Sequence, residues 1–307
     1  MTATLRLPID GPYDLDATLL TLTMGTGNPC LRHDTRRAAM TLTTPDGRVA
    51  IRAERAADAL LVATEGPGAE WIEPRLPGVL GLNDDAAAFQ PEGRLGRLAK
   101  QHAGIHLPTL PMVFPRLVQV VLQQLISFRD ACRGWRRLVQ TYGEAAGESL
   151  VGGEELFHTP PAERIARLAT SEFAACDILP KHGRVIRELA RQAAGLERLW
   201  GAGESDDGVD RLCDYLLRQP GVGPWTVGYL RGAGLGDADA VVPGDYGHPH
   251  HVASFFTGAQ RSDDAEMLRL LEPYRPHRFR VLMLLIRGFP PPPRRGPRRA
   301  SLRSRLR

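Results

Sequence analysis

The chain is 307 residues long, room for about two domains with cores of their own. Its 43% hydrophobic and 24% charged residues exclude a wholly disordered or fibrous chain. The net charge of +4 is carried by seven arginines after residue 290, so the rest is slightly acidic and charge alone does not mark it as a nucleic-acid binder.

Residues 1–104 read as a small α+β domain with an antiparallel sheet. Thr18 to Met24 and Ala39 to Thr43 have strand composition, and Thr44-Pro-Asp-Gly47 reads as a turn into Arg48 to Arg52. Leu60 to Thr64 predicts another strand and Leu95 to Lys100 a short helix. The pattern then changes. Phe114, Leu117, Val118, Val121, Leu122 and Leu125 recur at helical spacing and predict one long helix up to Ser127. Further helices are expected at Arg133 to Tyr142, Pro161 to Thr170, Gly183 to Ala194 and Val209 to Arg218. Pro220-Gly-Val-Gly-Pro224 breaks the chain before a helix over Trp225 to Gly232; the last two helices lie around Pro249 to Thr257 and from His277 to Ile286. Residues 105–289 thus form a helical unit, and the Arg/Pro-rich residues 290–307 are expected to be disordered. The fold class is mainly α with a smaller α+β N-terminal domain.

Cys30, Cys132, Cys176 and Cys213 lie far apart, without the paired spacing of a zinc or iron–sulfur site. No stretch approaches the roughly 18 apolar residues of a membrane span, and the start has no apolar signal core. The expectation is a reduced, cytoplasmic protein, monomeric and without a membrane partner.

The strongest local signal is Leu217-Arg-Gln-Pro-Gly-Val-Gly-Pro-Trp-Thr226, a helix end, a tight Gly-x-Gly turn and a new helix start. Gly221 and Gly223 suit positive φ and leave backbone N–H groups around Val222 unobstructed. Together with the positive end of the next helix these groups could grip a phosphate, or the segment is an ordinary helix-to-helix turn. Twenty-two residues after Gly223 comes Asp245, which could cap the helix opening near Pro249 or carry chemistry. His248, His250 and His251 cluster beside it; His248 and His251 could share a helix face, and a solvated or phosphate-contacting role is preferred to metal binding.

Hairpin and acid together resemble the helix-hairpin-helix superfamily of DNA glycosylases, specifically the alkylated-base, 3-methyladenine glycosylase II type. The resemblance runs from His106 through Gly288, carried by Leu122-Gln-Gln-Leu-Ile-Ser127, Gln219 to Tyr229 and Pro276-His-Arg278; the N-terminal region, beginning Pro12-Tyr-Asp14, is similar more loosely. It implies two helical subdomains flanking a cleft, and hydrolytic excision of a flipped, alkylated purine from damaged double-stranded DNA. By the same resemblance Asp245 is the catalytic acid; Gly221, Val222, Gly223 and Thr226 form the DNA-binding hairpin. Trp225, Tyr229, Tyr246 and His277 line the base pocket, and Gln124 and Leu125 probe the duplex. Strand-cleaving members carry a nucleophilic lysine where this chain has Trp225, and its lysines are only Lys100 and Lys181, so a monofunctional hydrolase is implied. No catalytic metal or cofactor is implied; a monovalent cation on hairpin carbonyls is. Arg231, Arg278 and Arg280 are expected to contact phosphates. The rival readings are a glycosylase for oxidised or mismatched bases and a non-catalytic DNA-binding module of the same fold.

Overall fold

The computed structural model describes residues 4–146, 155–201 and 207–293. The tail expected to be disordered lies, from residue 294 on, outside the described residues. Strands β1 (Thr4–Pro8), β2 (Leu31–His33), β3 (Arg37–Thr44), β4 (Gly47–Arg55) and β5 (Ala59–Glu65) form an antiparallel sheet in the order β1-β5-β4-β3-β2. The expected turn closes β3 onto β4 with Thr44 opposite Gly47, where φ is +123°. Ile51 and Ala53 of β4 face the core, while Arg52 and Glu54 face out.

One expected strand is a helix. Leu15–Leu19 form α1 and Leu20–Leu22 a 3-10 turn, because Asp14 Oδ1 accepts the Ala17 N–H at 2.9 Å and starts the helix. Leu15, Leu19 and Leu22 then fall on one face and bury in the sheet core, a helical spacing that outweighs the strand-like Leu and Thr content.

Among the described residues the remaining α-helices and strands are α2 (Ala69–Ile72), α3 (Leu76–Val79), α4 (Gly93–Gln101), α5 (Phe114–Gln123), α6 (Phe128–Tyr142), the two-residue strands β6 (Glu144–Ala145) and β7 (Phe157–His158), α7 (Ala162–Arg167) and α8 (Thr170–Ala175). After them come α9 (Pro180–Arg191), α10 (Ala193–Trp200), α11 (Gly208–Leu217), α12 (Pro224–Leu235), α13 (His248–Thr257), α14 (Asp264–Leu271) and α15 (Arg278–Gly288). The helix expected at Pro161 to Thr170 is two, α7 and α8, and α10 and α14 were not anticipated. The long helix expected to run to Ser127 ends at Gln123. Ser127 Oγ accepts the Asp130 N–H at 3.1 Å and begins α6, leaving a short break between the two helices.

Three apolar clusters hold these parts. The sheet packs on α1 and α3 through Leu15, Leu19, Leu60, Val62 and Leu76. A helical cluster gathers Leu117, Trp135, Leu138, Phe173 and Leu212. A third joins α12 to α15 through Val252, Met267, Phe279 and Leu282, and α4 adds Leu95 and Leu98 to it. At the start of α5, both carboxylate oxygens of Glu197 accept the Val113 and Phe114 N–H groups, at 2.8–3.2 Å, in place of absent intrahelical partners. Arg280 of α15 is buried in a two-bond ion pair with Asp84, 2.6 and 3.0 Å, tying the last helix to the loop after α3. Among the described residues no helix is long and apolar enough to cross a membrane.

Candidate active site

The hairpin between α11 and α12 is built as its glycines suggest, with one correction. Gly221 takes φ +83°, and a Cβ there would also meet Val185 of α9 at 2.4 Å, so only glycine fits. Gly223 is extended at φ −122°, ψ 179°, and needs no left-handed backbone; among the described residues a Cβ there would meet nothing within 4 Å. Its surroundings are open, which leaves the backbone at the head of α12 accessible. Pro224 opens α12, and the N–H groups of Trp225 and Thr226 fall in its first turn, where intrahelical partners are missing. Val222 is buried and anchors the turn, its N–H bonded to the Gln219 carbonyl at 3.1 Å.

Gln124, at the end of α5, donates from Nε2 to the Gly221 carbonyl at 2.9 Å and to Thr226 Oγ1 at 2.8 Å. It locks the hairpin to the break between α5 and α6. Gln124→Ala removes both bonds and is expected to lower stability by about 1–2 kcal/mol, read from denaturant unfolding; an unchanged midpoint would deny it this bracing role. The next residue, Leu125, is 67% exposed with φ +57°, a conformation costing a leucine about 1–2 kcal/mol. A buried place on the face of α5, which its spacing also allowed, is thereby excluded. Phe128, which sequence reasoning passed over, is 52% exposed three residues on and extends the same apolar tip.

Asp245 lies on the loop from α12 to α13, held from three sides. At Gly228 a Cβ would come within 2.0 Å of the Val241 carbonyl, so glycine lets the loop run directly against α12. Arg278 binds Asp239 through Nε and Nη2 at 2.8 and 2.6 Å, the Phe279 N–H bonds the Ala238 carbonyl at 2.8 Å, and the Gly244 N–H bonds Asp264 Oδ2 at 2.7 Å. Oδ1 of Asp245 accepts the Gly247 and His248 N–H groups at 2.7 and 2.9 Å, and Oδ2 accepts the Trp225 indole Nε1–H at 3.0 Å. The acid thus caps α13 and also touches the ring at the head of α12. Burial works to raise its pKa; a protonated His248, the indole N–H and the two main-chain N–H groups outweigh burial and hold the carboxyl below the usual carboxylate range. At neutral pH it is an oriented anion.

Trp225 stacks on Tyr229 with ring centres 5.4 Å apart and 28° between planes, and Tyr229 on His248 at 6.4 Å and 12°. Tyr246, beside Asp245, is 61% exposed with its ring edge-on to His250. Asp245, Trp225, Tyr229 and Tyr246 therefore belong to one neighbourhood. His277 meets Phe89 at 5.1 Å and Arg280, and among the described residues no ring contact joins it to the Trp225–Tyr229 stack.

Several expectations fail. The three arginines assigned to phosphates are engaged within the fold: Arg231 with Asp237 and Asp210, Arg278 with Asp239 and Glu272, Arg280 with Asp84. Their acids are distant in sequence or in loops, which composition could not pair. The histidines are not a solvated cluster. His248 and His251 are buried, His251 Nε2 lies 2.8 Å from the Phe289 carbonyl, and His250 Nδ1 accepts the Ser262 N–H at 3.2 Å. Among the described residues no group of three His, Cys, Asp or Glu side chains could hold a metal ion. For a monovalent cation the hairpin offers main-chain carbonyls, a suitable ligand class. Those of Gln219 and Gly221 already accept one hydrogen bond each and retain a lone pair.

No protein-family model matches the chain. It is 29% identical over 154 residues to DNA-3-methyladenine glycosylase 2 of Escherichia coli, covering 50% of this chain and 52% of that protein. To the DNA-3-methyladenine glycosylase of Bacillus subtilis it is 25% identical over 214 residues, 67% of this chain and 65% of the other. The chain thus spans between half and two thirds of the length of these curated relatives. Among solved structures, 3-methyladenine DNA-glycosylase from Archaeoglobus fulgidus superposes with a TM-score of 0.76 at 19% identity, over 92% of this chain and 97% of that one.

Proposed function

We propose that the chain is a helix-hairpin-helix DNA glycosylase akin to the 3-methyladenine enzymes it is similar to, a monofunctional glycosylase that excises alkylated purines from duplex DNA. The observation that carries this reading is the Asp245 carboxylate, ionised and fixed by the Trp225 indole and the head of α13 beside an aromatic stack.

The chemistry follows from those parts. An alkylated purine is already cationic and leaves readily, so the demand falls on the electron-poor sugar left behind. Oδ2 of Asp245, bonded once to Trp225, retains lone pairs with which to stabilise that oxocarbenium-like centre or orient the attacking water. Trp225, Tyr229 and Tyr246 supply π-faces for a cationic base. Reaching them requires the nucleotide to leave the stack, at a cost of a few kcal/mol, and exposed Leu125 fills the gap. The hairpin backbone and the first turn of α12 bind a phosphate of the same strand. By the family resemblance His277 closes the far side of the pocket, its own ring contact being Phe89. In this reading residues 1–104 are a supporting domain, residues 105–289 carry the site, and the enzyme works as a cytoplasmic monomer on nucleoid DNA.

Monofunctionality rests on residue type. The position that would need an amine holds Trp225, and the two lysines lie elsewhere, Lys100 on α4 and Lys181 on α9. Incubation with duplexes carrying 3-methyladenine, 7-methylguanine, hypoxanthine or ethenoadenine tests both claims. Free methylated base and intact strands that break only in alkali are expected. Release of none of the four bases would remove the glycosylase reading, and a borohydride-trapped covalent adduct would remove the monofunctional one.

A further inference from the structure

We propose that His248 is a positioning residue for Asp245, supporting the carboxylate and the Tyr229 ring while neutral and capturing the carboxylate as an ion pair when protonated. The ring, not the carboxyl, then sets the acid limit of base release. The inference rests on the reading of Asp245 as the group that stabilises the sugar cation.

His248 opens α13 and is 8% exposed. Its backbone N–H already holds Asp245 Oδ1 at 2.9 Å, and its ring Nδ1 stands 3.8 Å from the same oxygen, buried and, among the described residues, without a hydrogen-bond partner. That is too far for a hydrogen bond yet close enough for a charge on the ring to act fully on the carboxylate. The opposite side of the arrangement is Tyr229, lying nearly parallel to the imidazole at 12°. His248 therefore touches both the acid and the base-stacking surface.

The groups facing the ring fix the direction of its response. Asp245 and Asp264 of α14 favour its charged form; burial and His251 on the same helix oppose it, and burial leads, so the ring titrates below the ordinary histidine range. Tyr229 of α12 adds no charge near neutrality. At pH 7 His248 is neutral and the Asp245 field is fully available to the sugar cation. As pH falls through the ring's pKa the imidazole takes a proton from solvent, pairs with Oδ1 and cancels that field. The same charge repels a cationic base stacked on Tyr229. Asp245, the anion of that pair, is itself held below the usual carboxylate range.

The test is the pH profile of single-turnover base release, corrected for spontaneous loss, for wild type, His248→Leu and His248→Gln, each normalised to its own neutral plateau. The wild-type rate should fall about tenfold for each pH unit below the ring's pKa. Both variants should retain most of their plateau there, with a several-fold lower plateau from the loosened Tyr229 ring. An unmoved acid limb in the variants overturns the inference while leaving the glycosylase reading intact, whereas a wild type that releases no base removes that reading itself. Proton NMR titration of His248 needs no variant at that position: its pKa should drop in Asp245→Asn, and an unchanged value would equally overturn the pairing.

Discussion

Asp245→Asn is expected to slow release of methylated purines by about 10²–10³-fold or more while changing the fold little. The asparagine carbonyl can keep the bonds from Gly247 and His248, so the cap on α13 survives. Its amide NH₂ then faces the Trp225 indole N–H, two donors where one donor and one acceptor stood, and the negative charge is gone. The expected pattern is a stability loss of about 1–2 kcal/mol, DNA affinity near wild type, and chemistry nearly abolished. Equal rates for the two proteins would mean that the carboxylate does no chemical work. Should neither protein release base although both bind DNA, the chain is a binding module that kept the fold.

Arg280→Ala is expected to destabilise the protein by about 3–5 kcal/mol in denaturant unfolding. Both ion-pair side chains are 6% exposed, so removing the guanidinium strands the Asp84 carboxylate. Among the described residues that carboxylate would retain the Leu107 N–H at 3.0 Å and His106 Nδ1 at 3.8 Å. Replacing both partners, Asp84→Leu with Arg280→Met, should recover most of the loss, since no charge is then left buried. The measurement also separates two roles for Arg280. A phosphate contact would appear as a reduced salt slope of DNA binding with stability unchanged, and that outcome would contradict the buried pair.

What could be read from sequence was what sits close along the chain. The Gly221–Gly223 corner and Asp245 are local signals: a glycine needed for φ +83°, a helix restarting at Pro224, and an acid just ahead of α13. Their meeting through Trp225 was implied by resemblance, and the indole–carboxylate bond is where the structure joins them. The break after Gln123 was hidden because apolar periodicity continued through Leu125. The stronger determinant was Ser127-Phe-Arg-Asp130, a capping pattern visible in the sequence but outweighed by periodicity. α1 was lost in the same way, its Asp14 cap overlooked beside a Leu- and Thr-rich run.

The arginines and histidines were misjudged for a different reason. Arg280 and Asp84 are 196 residues apart, and Arg278 and Asp239 are 39 apart, so only the folded chain shows that these cations are spent on acids. His248 likewise gains its significance from Tyr229 on another helix. Long-range partners decide whether a charged residue on a basic-looking segment is available to DNA, and no spacing rule carries that information.

Affinity for duplex DNA carrying a cationic pyrrolidine in place of the damaged nucleotide probes the charge arrangement directly, because that ring mimics the sugar cation without reacting. Wild-type protein should bind it about 10²-fold more tightly than the same duplex with a neutral tetrahydrofuran, and Asp245→Asn should bind the two alike. Equal affinities in the wild type, or a preference that survives in Asp245→Asn, would contradict the assignment of Asp245 as the group that stabilises the departing base's sugar.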